Sequence, residues 1–278
     1  MGHNLALDLF GPPSADEAAA GLGVHGESSV VDYEVCVEGD RLLARAMLPL
    51  AHLTLERSVR LVGNGVAEIE ETVTNLLAFD RPIAWTQHVT LGPPFIESGR
   101  TRLHLPAHTS RTHPEDFGPL QRLRADATFD WPLAPAKNGG VVQMATYPDV
   151  PSGYITGHLV RPNSPYGYFH AWHSGSQTLI GYCWTRSDFP WICLWEENRS
   201  RAMAPWNGTA STWGIEFGAS PFAESRQNMI DRGQLFDTPA YRWLGALRKA
   251  SVRYFAYTAR ADGSSVTAEP PAYVLDRL

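Results

Sequence analysis

The chain has 278 residues, 44% apolar and 19% charged, which is enough to close a well-buried core and too apolar for a disordered chain. Its 24 Gly and 21 Pro are scattered rather than periodic, which suits many turns between short strands and excludes collagen-like and coiled-coil architectures. With 29 acidic against 23 basic residues the formal charge is -6, and no Lys/Arg cluster tracks a phosphate backbone, so nucleic acid is not an expected partner.

In chain order, Asp16 to Ala20 suggests a short helix. From Ser28 the apolar residues then alternate: SSVVDYEVCVEG, RLLARAMLPL, LTLERSVRLVG and GVAEIEETVTNLL read as paired strands. Glu38-Gly39-Asp40 and Gly63-Asn64-Gly65 supply turn chemistry between them, as in an antiparallel meander. Val66, Ile69, Val73 and Leu76 also fit helical spacing, but their β-branched company favours a strand. Pro93 to Gly140, rich in Pro, His, Arg and Asp, reads as long surface loops with short strands, the kind of segment that often carries function. VVQMATYP, GYITGHLV, YGYFHAWH, QTLIGYCWTR, WICLWEEN, STWGIEFG and ASVRYFAYTAR follow as further strands, with a second helix suggested at Tyr241 to Leu247. No repeat and no Gly/Ser linker divides residues 1–278, so the expectation is one all-β domain, a large antiparallel β-sandwich, because so many strands split into two packed sheets.

Cys36, Cys183 and Cys193 are odd in number and sit among apolar or aromatic residues, which reads as buried thiols in a reducing compartment. The start, MGHNLALDLFGPPS, lacks a basic stretch followed by an apolar one, and no run of about 18 apolar residues occurs; a cytoplasmic protein without a membrane partner is expected.

Three motifs carry titratable groups. In Gly21-Leu22-Gly23-Val24-His25-Gly26-Glu27, glycines flank an imidazole able to act as donor or acid. Trp85-Thr86-Gln87-His88-Val89-Thr90 places Gln87 and His88 in a strand, where a bulge would let both join one face; otherwise His88 is a satisfied core histidine. Trp213-Gly214-Ile215-Glu216-Phe217 sets a carboxylate between apolar neighbours, where desolvation raises its pKa toward that of a general base unless Arg186 or Arg201 pairs with it. Trp172, Trp184, Trp191, Trp195, Trp206 and Trp213 lie close together in sequence, and aromatic faces stack on sugars, although most such rings are core. His170 with His173, and His108 with His113, have spacings usable by a metal, but on a strand the first pair faces opposite sides of a sheet; no metal site is expected. GxSxG and P-loop patterns do not occur.

Taken in order, His25-Gly26-Glu27, VTNLLAFDRPIAWTQHVTLGPPF, DFPWICLWEEN and WGIEFGASPF resemble the galactose mutarotase-like superfamily, which includes the aldose 1-epimerases, and the closing RYFAY strand also fits. The resemblance implies a supersandwich with a concave face that holds a free sugar or sugar derivative. It also implies His88 as catalytic acid, Glu216 as base, and His25 as a histidine that steadies the substrate, with no cofactor. Gln87, Trp195 and Trp213 are expected to complete the substrate site. The family usually carries more strands, and often an arginine-bearing segment, where only 24 residues precede His25 here. A sheet edge left open that way implies a homodimer. Asp149 and Asp188 are candidates for the family's sugar-binding Asp, neither in a matching motif. The alternatives are a carbohydrate-binding sandwich without turnover and a carbohydrate lyase, the latter needing a basic groove. Side chains of His88 and Glu216 roughly 5 to 8 Å apart would suit a sugar ring between them.

Overall fold

The alternating segments form two large antiparallel sheets in the computed structural model, which describes residues 2–63 and 65–278; Asn64 of the expected Gly-Asn-Gly turn lies outside them. One sheet has seven strands in the order His3–Leu7, Trp85–Leu91, Ser211–Gly218, Trp191–Asn198, Ser152–Val160, Ala107–Thr112 and Thr128–Phe129. The other has eight: Glu34–Glu38, Arg41–Leu48, Leu53–Gly63, Val66–Asn75, Lys249–Arg260, Thr178–Thr185, Tyr166–His173 and Thr101–His104. Their facing side chains meet in a single cluster. Trp85, Ile192, Leu194, Ile215 and Phe217 come from the first sheet, and Leu55, Val73, Phe169, Trp184 and Tyr254 from the second. At its centre Trp184 and Phe217 stack with ring centroids 4.1 Å apart. Side chains of this size each contribute about 1.5–3 kcal/mol on full burial, which makes this layer the main stabilising element.

Period-two geometry then decides what the outer face of the seven-stranded sheet carries. Trp213, Ile215 and Phe217 are in the core, so Gly214, Glu216 and Gly218 face away from it. On the neighbouring strand Trp85 and Val89 point inward, leaving Thr86, His88 and Thr90 outside.

Several local expectations change. Asp16 to Ala20 is helical as α1 (Ala15–Ala19), closed by a capping box in which Ser14 and Glu17 bond each other's backbone. Tyr241 to Leu247 is not a helix: Arg242–Leu244 is a strand paired with Arg81–Ile83, and Trp243 and Leu247 lie exposed. The strand His3–Leu7 and the helix α2 (Arg226–Arg232), capped by Ser225, were not legible as elements. VVQMATYP shrinks to Val141–Gln143, and the first expected strand to Glu34–Glu38. Cys183 and Cys193 are buried, but Cys36 is exposed, because every residue of its edge strand is exposed. Among the described residues no helix is long and apolar enough to cross a membrane.

Candidate active site

His88 and Glu216 are directly opposite one another on adjacent strands, and Cys193 is opposite Glu216 on the next. The register brings His88 Nε2 within 2.8 Å of Glu216 Oε1, while Thr90 Oγ1, two residues along the same face, lies 3.0 Å from His88 Nδ1. Neither Arg186 nor Arg201 takes the carboxylate: Arg186 donates to the Val160 carbonyl, and Arg201 pairs with Glu197. Glu216 Oε2 is buried with no partner among the described residues. Gly214 makes room for this arrangement, since a Cβ there would stand 2.5 Å from Glu216 Oε1 and 3.0 Å from the Trp195 ring.

Burial works against protonation of His88, but the charge of Glu216 and the hydrogen bond to it outweigh that and raise the pKa. His25 is driven the other way, to about 4, by burial and by the neighbouring His88, with Glu216 a smaller opposing influence. Gly11 N–H donates to His25 Nδ1 at 3.2 Å, so the neutral ring carries its proton on Nε2. Its ring meets His88 edge-on at 4.7 Å. His25 has φ +67°, an uncommon conformation for a side-chain-bearing residue, and Gly26 follows at φ +74°, where a Cβ would strike the Leu7 carbonyl at 2.4 Å. That close approach fixes the loop on the first strand and aims His25 at the pair.

These groups line a cleft of about 590 Å³ on the outer face, together with Trp195, His113, Arg201 and Trp206. Trp195 reaches this cleft, its ring centroid 6.2 Å from that of His88. Gln87 and Trp213 do not. Being an odd number of positions from His88 and Glu216, both point between the sheets, since the strand does not bulge there. Gln87 bonds Glu71, Tyr254 and His3, and Trp213 donates to Glu196. Trp184 and Trp191 are likewise wholly buried. Asp149 and Asp188 lie outside the cleft, Asp188 paired with Arg242 at 3.4 Å. The 2.8 Å contact is also closer than groups flanking a ring would be, so a substrate must sit over the pair rather than between its members.

His113 and Arg201 are cleft residues that the sequence offered only in other roles, as one of a metal-spaced pair and as a partner for Glu216. His113 accepts Glu115 N–H at Nδ1, burial lowers its pKa to about 4, and its Nε2 has no partner among the described residues. His170 and His173 face opposite sides, bonding Tyr257 and Glu97 respectively. Among the described residues no three His, Cys, Asp or Glu side chains are grouped to hold a metal.

No family model matches the chain, and no curated protein matches it. Solved structures do. A proposed aldose 1-epimerase from Klebsiella pneumoniae superposes with a TM-score of 0.67 at 14% identity, over 99% of this chain and 65% of that one. A proposed aldose 1-epimerase from Escherichia coli gives 0.65 at 11%, over 93% and 84%. A galactose mutarotase-like protein from Clostridium acetobutylicum gives 0.59 at 16%, over 92% and 79%. The fold is that of the galactose mutarotase-like proteins. This mutarotase-like sandwich spans about 65% of the length of the Klebsiella protein, less than two thirds.

Proposed function

We propose that the protein is an aldose 1-epimerase-like isomerase that interconverts the anomers of a free aldose or sugar derivative by acid/base ring opening. The observation that carries this reading is the His88–Glu216 pair on the cleft floor, with Glu216 Oε2 unpartnered. Glu216 removes the proton from the anomeric hydroxyl as His88 Nε2–H protonates the ring oxygen. The bond between the anomeric carbon and the ring oxygen breaks, and a carbonyl forms. Rotation about the adjoining carbon–carbon bond and reclosure on the other face return the ring-oxygen proton to His88 and the Glu216 proton to the anomeric oxygen. The two oxygens belong to one carbon, so an acid and a base held side by side can address both. His25 Nε2–H is a fixed donor to a neighbouring hydroxyl, and Trp195 offers an apolar wall to the ring.

The 2.8 Å contact also favours a second reading, a carbohydrate-binding sandwich without turnover, in which the bound sugar does not part the pair. Polarimetry or NMR of freshly dissolved α-D-glucose and α-D-galactose separates the two. Accelerated anomer exchange, reduced about 10²–10⁴-fold in Glu216→Gln, supports the isomerase. Binding without acceleration across a panel of aldoses supports the binding module.

A further inference from the structure

Arg201 is the single Arg or Lys among the described residues that line the cleft. Its guanidinium lies over two indoles, with Cζ 5.5 Å from the Trp195 ring centroid and 4.8 Å from that of Trp206. Such cation–π contacts hold the charge without using its N–H donors in hydrogen bonds. Glu197, fully buried, stands 3.4 Å from Arg201 Nε. The Glu197 oxygens are already engaged by the backbone N–H groups of Ser200 and Arg201 and by the Ser200 hydroxyl. No side-chain N–H of Arg201 makes a hydrogen bond within the described residues, and the side chain is one-third exposed, toward the cleft.

The other charges facing the cleft are accounted for. Glu216 is paired with His88, Glu224 is held by Arg232 through two contacts of 2.8 Å, and Glu115 is exposed. Trp195 neighbours both the acid/base pair and Arg201, its ring centroid 6.2 Å from that of His88 and 5.5 Å from the guanidinium carbon. The guanidinium and the reacting groups thus share one indole and one cleft, into which a pyranose carrying a charged substituent would reach.

We infer that Arg201 is a specificity-determining residue that receives an oxyanion, a carboxylate or phosphoryl group borne by the sugar away from its anomeric carbon. The inference rests on the proposed reading of the site and names its substrate class as acidic aldoses. A planar fork of donors matches both oxyanions in bidentate geometry, whereas a neutral hydroxyl engages only one arm.

Anomer exchange of D-glucose, D-glucuronate and D-glucose 6-phosphate, measured by NMR with wild type, Arg201→Gln and Arg201→Lys, tests it. The expected result is a KM at least about tenfold lower for one or both anionic sugars, a preference abolished in R201Q, only partly kept in R201K, and weakened by added salt. Preference for glucuronate or for the phosphate alone identifies which oxyanion is read. Equal KM values for neutral and anionic sugars, or an R201Q variant that weakens both alike, overturn the inference. If no aldose is turned over, the isomerase reading fails separately. Calorimetric binding of the unreactive 1,5-anhydroglucitol and its 6-phosphate then decides: an R201-dependent preference for the phosphate supports the oxyanion site, and equal or absent binding of the two overturns it.

Discussion

Glu216 owes its position to a residue with no side chain. A methyl group at Gly214 would fall 2.5 Å from Glu216 Oε1, so Gly214→Ala must displace the carboxylate from His88. A shift of this order costs about 10²-fold when the displaced group is a proton acceptor. The expected outcome is a loss of kcat near that size with a thermal midpoint close to wild type; an unchanged kcat would remove Glu216 from the reaction. His88 also makes a prediction about pH. Its pKa is raised above 6.5, so the protonated acid persists into neutral solution, and the alkaline fall of kcat/KM lies above pH 6.5. A profile already falling below that pH contradicts the role given to His88.

At the scale of the element, the strand Trp85–Leu91 serves two sites through its two faces. His88 looks into the cleft. Trp85 and Gln87, on the opposite face, bind the wholly buried Glu71, which also accepts from Tyr254 and pairs with Arg57 at 2.6 Å. Burial raises the pKa of Glu71, but Arg57 and the donated hydrogen bonds more than offset this and keep it ionised. Replacing Glu71 with Ala removes the acceptor shared by Trp85, Gln87 and Tyr254 and leaves the partly buried Arg57 guanidinium without its counter-charge. Chemical denaturation should show a loss of about 3–5 kcal/mol. A loss below 1 kcal/mol would mean that water replaces the carboxylate. The same network explains why Gln87 is not available to a substrate.

For the whole molecule, burial lowers the pKa of six histidines: His3, His25, His113 and His170 to about 4, His158 to about 3, and His104 below its usual value. In the unfolded chain each titrates near 6.5. Between these values the unfolded state binds protons that the folded state refuses, so stability rises with pH and is lost as pH falls from about 6.5 through 4. Each histidine contributes a slope of about 1.4 kcal/mol per pH unit in that window. His88, with its raised pKa, acts in the opposite sense, as one group against six. Thermal midpoints should therefore drop steeply from pH 6.5 to 4; a flat profile would show that these sites hydrate before unfolding. We propose that the 278 residues form one domain, which predicts a single cooperative transition in those melts. The edge strand Glu34–Glu38 exposes Val35 and Val37 but carries a Glu at each end, which opposes strand addition. The proposed homodimer predicts twice the chain mass by light scattering, and a monomer at micromolar concentration disproves it.

Alternation was legible in the sequence because a strand with one buried face must repeat every two residues. On that basis LTLERSVRLVG, WICLWEEN and STWGIEFG correspond closely to the strands Leu53–Gly63, Trp191–Asn198 and Ser211–Gly218. His25, His88 and Glu216 stood out as titratable groups beside glycine or apolar residues, and tertiary structure brings the three together. Which face each strand turned inward was decided only by packing, and this separates Gln87 and Trp213 from neighbours that reach the cleft. Arg201 and His113 belong to segments with no periodic pattern, placed by partners far along the chain: His113 N–H bonds the Ile155 carbonyl, and Glu197 holds the turn that carries Arg201. Periodicity is a local consequence of burial and can be read from neighbouring residues. A cleft is a relation between distant strands, and it exists only once their register is set.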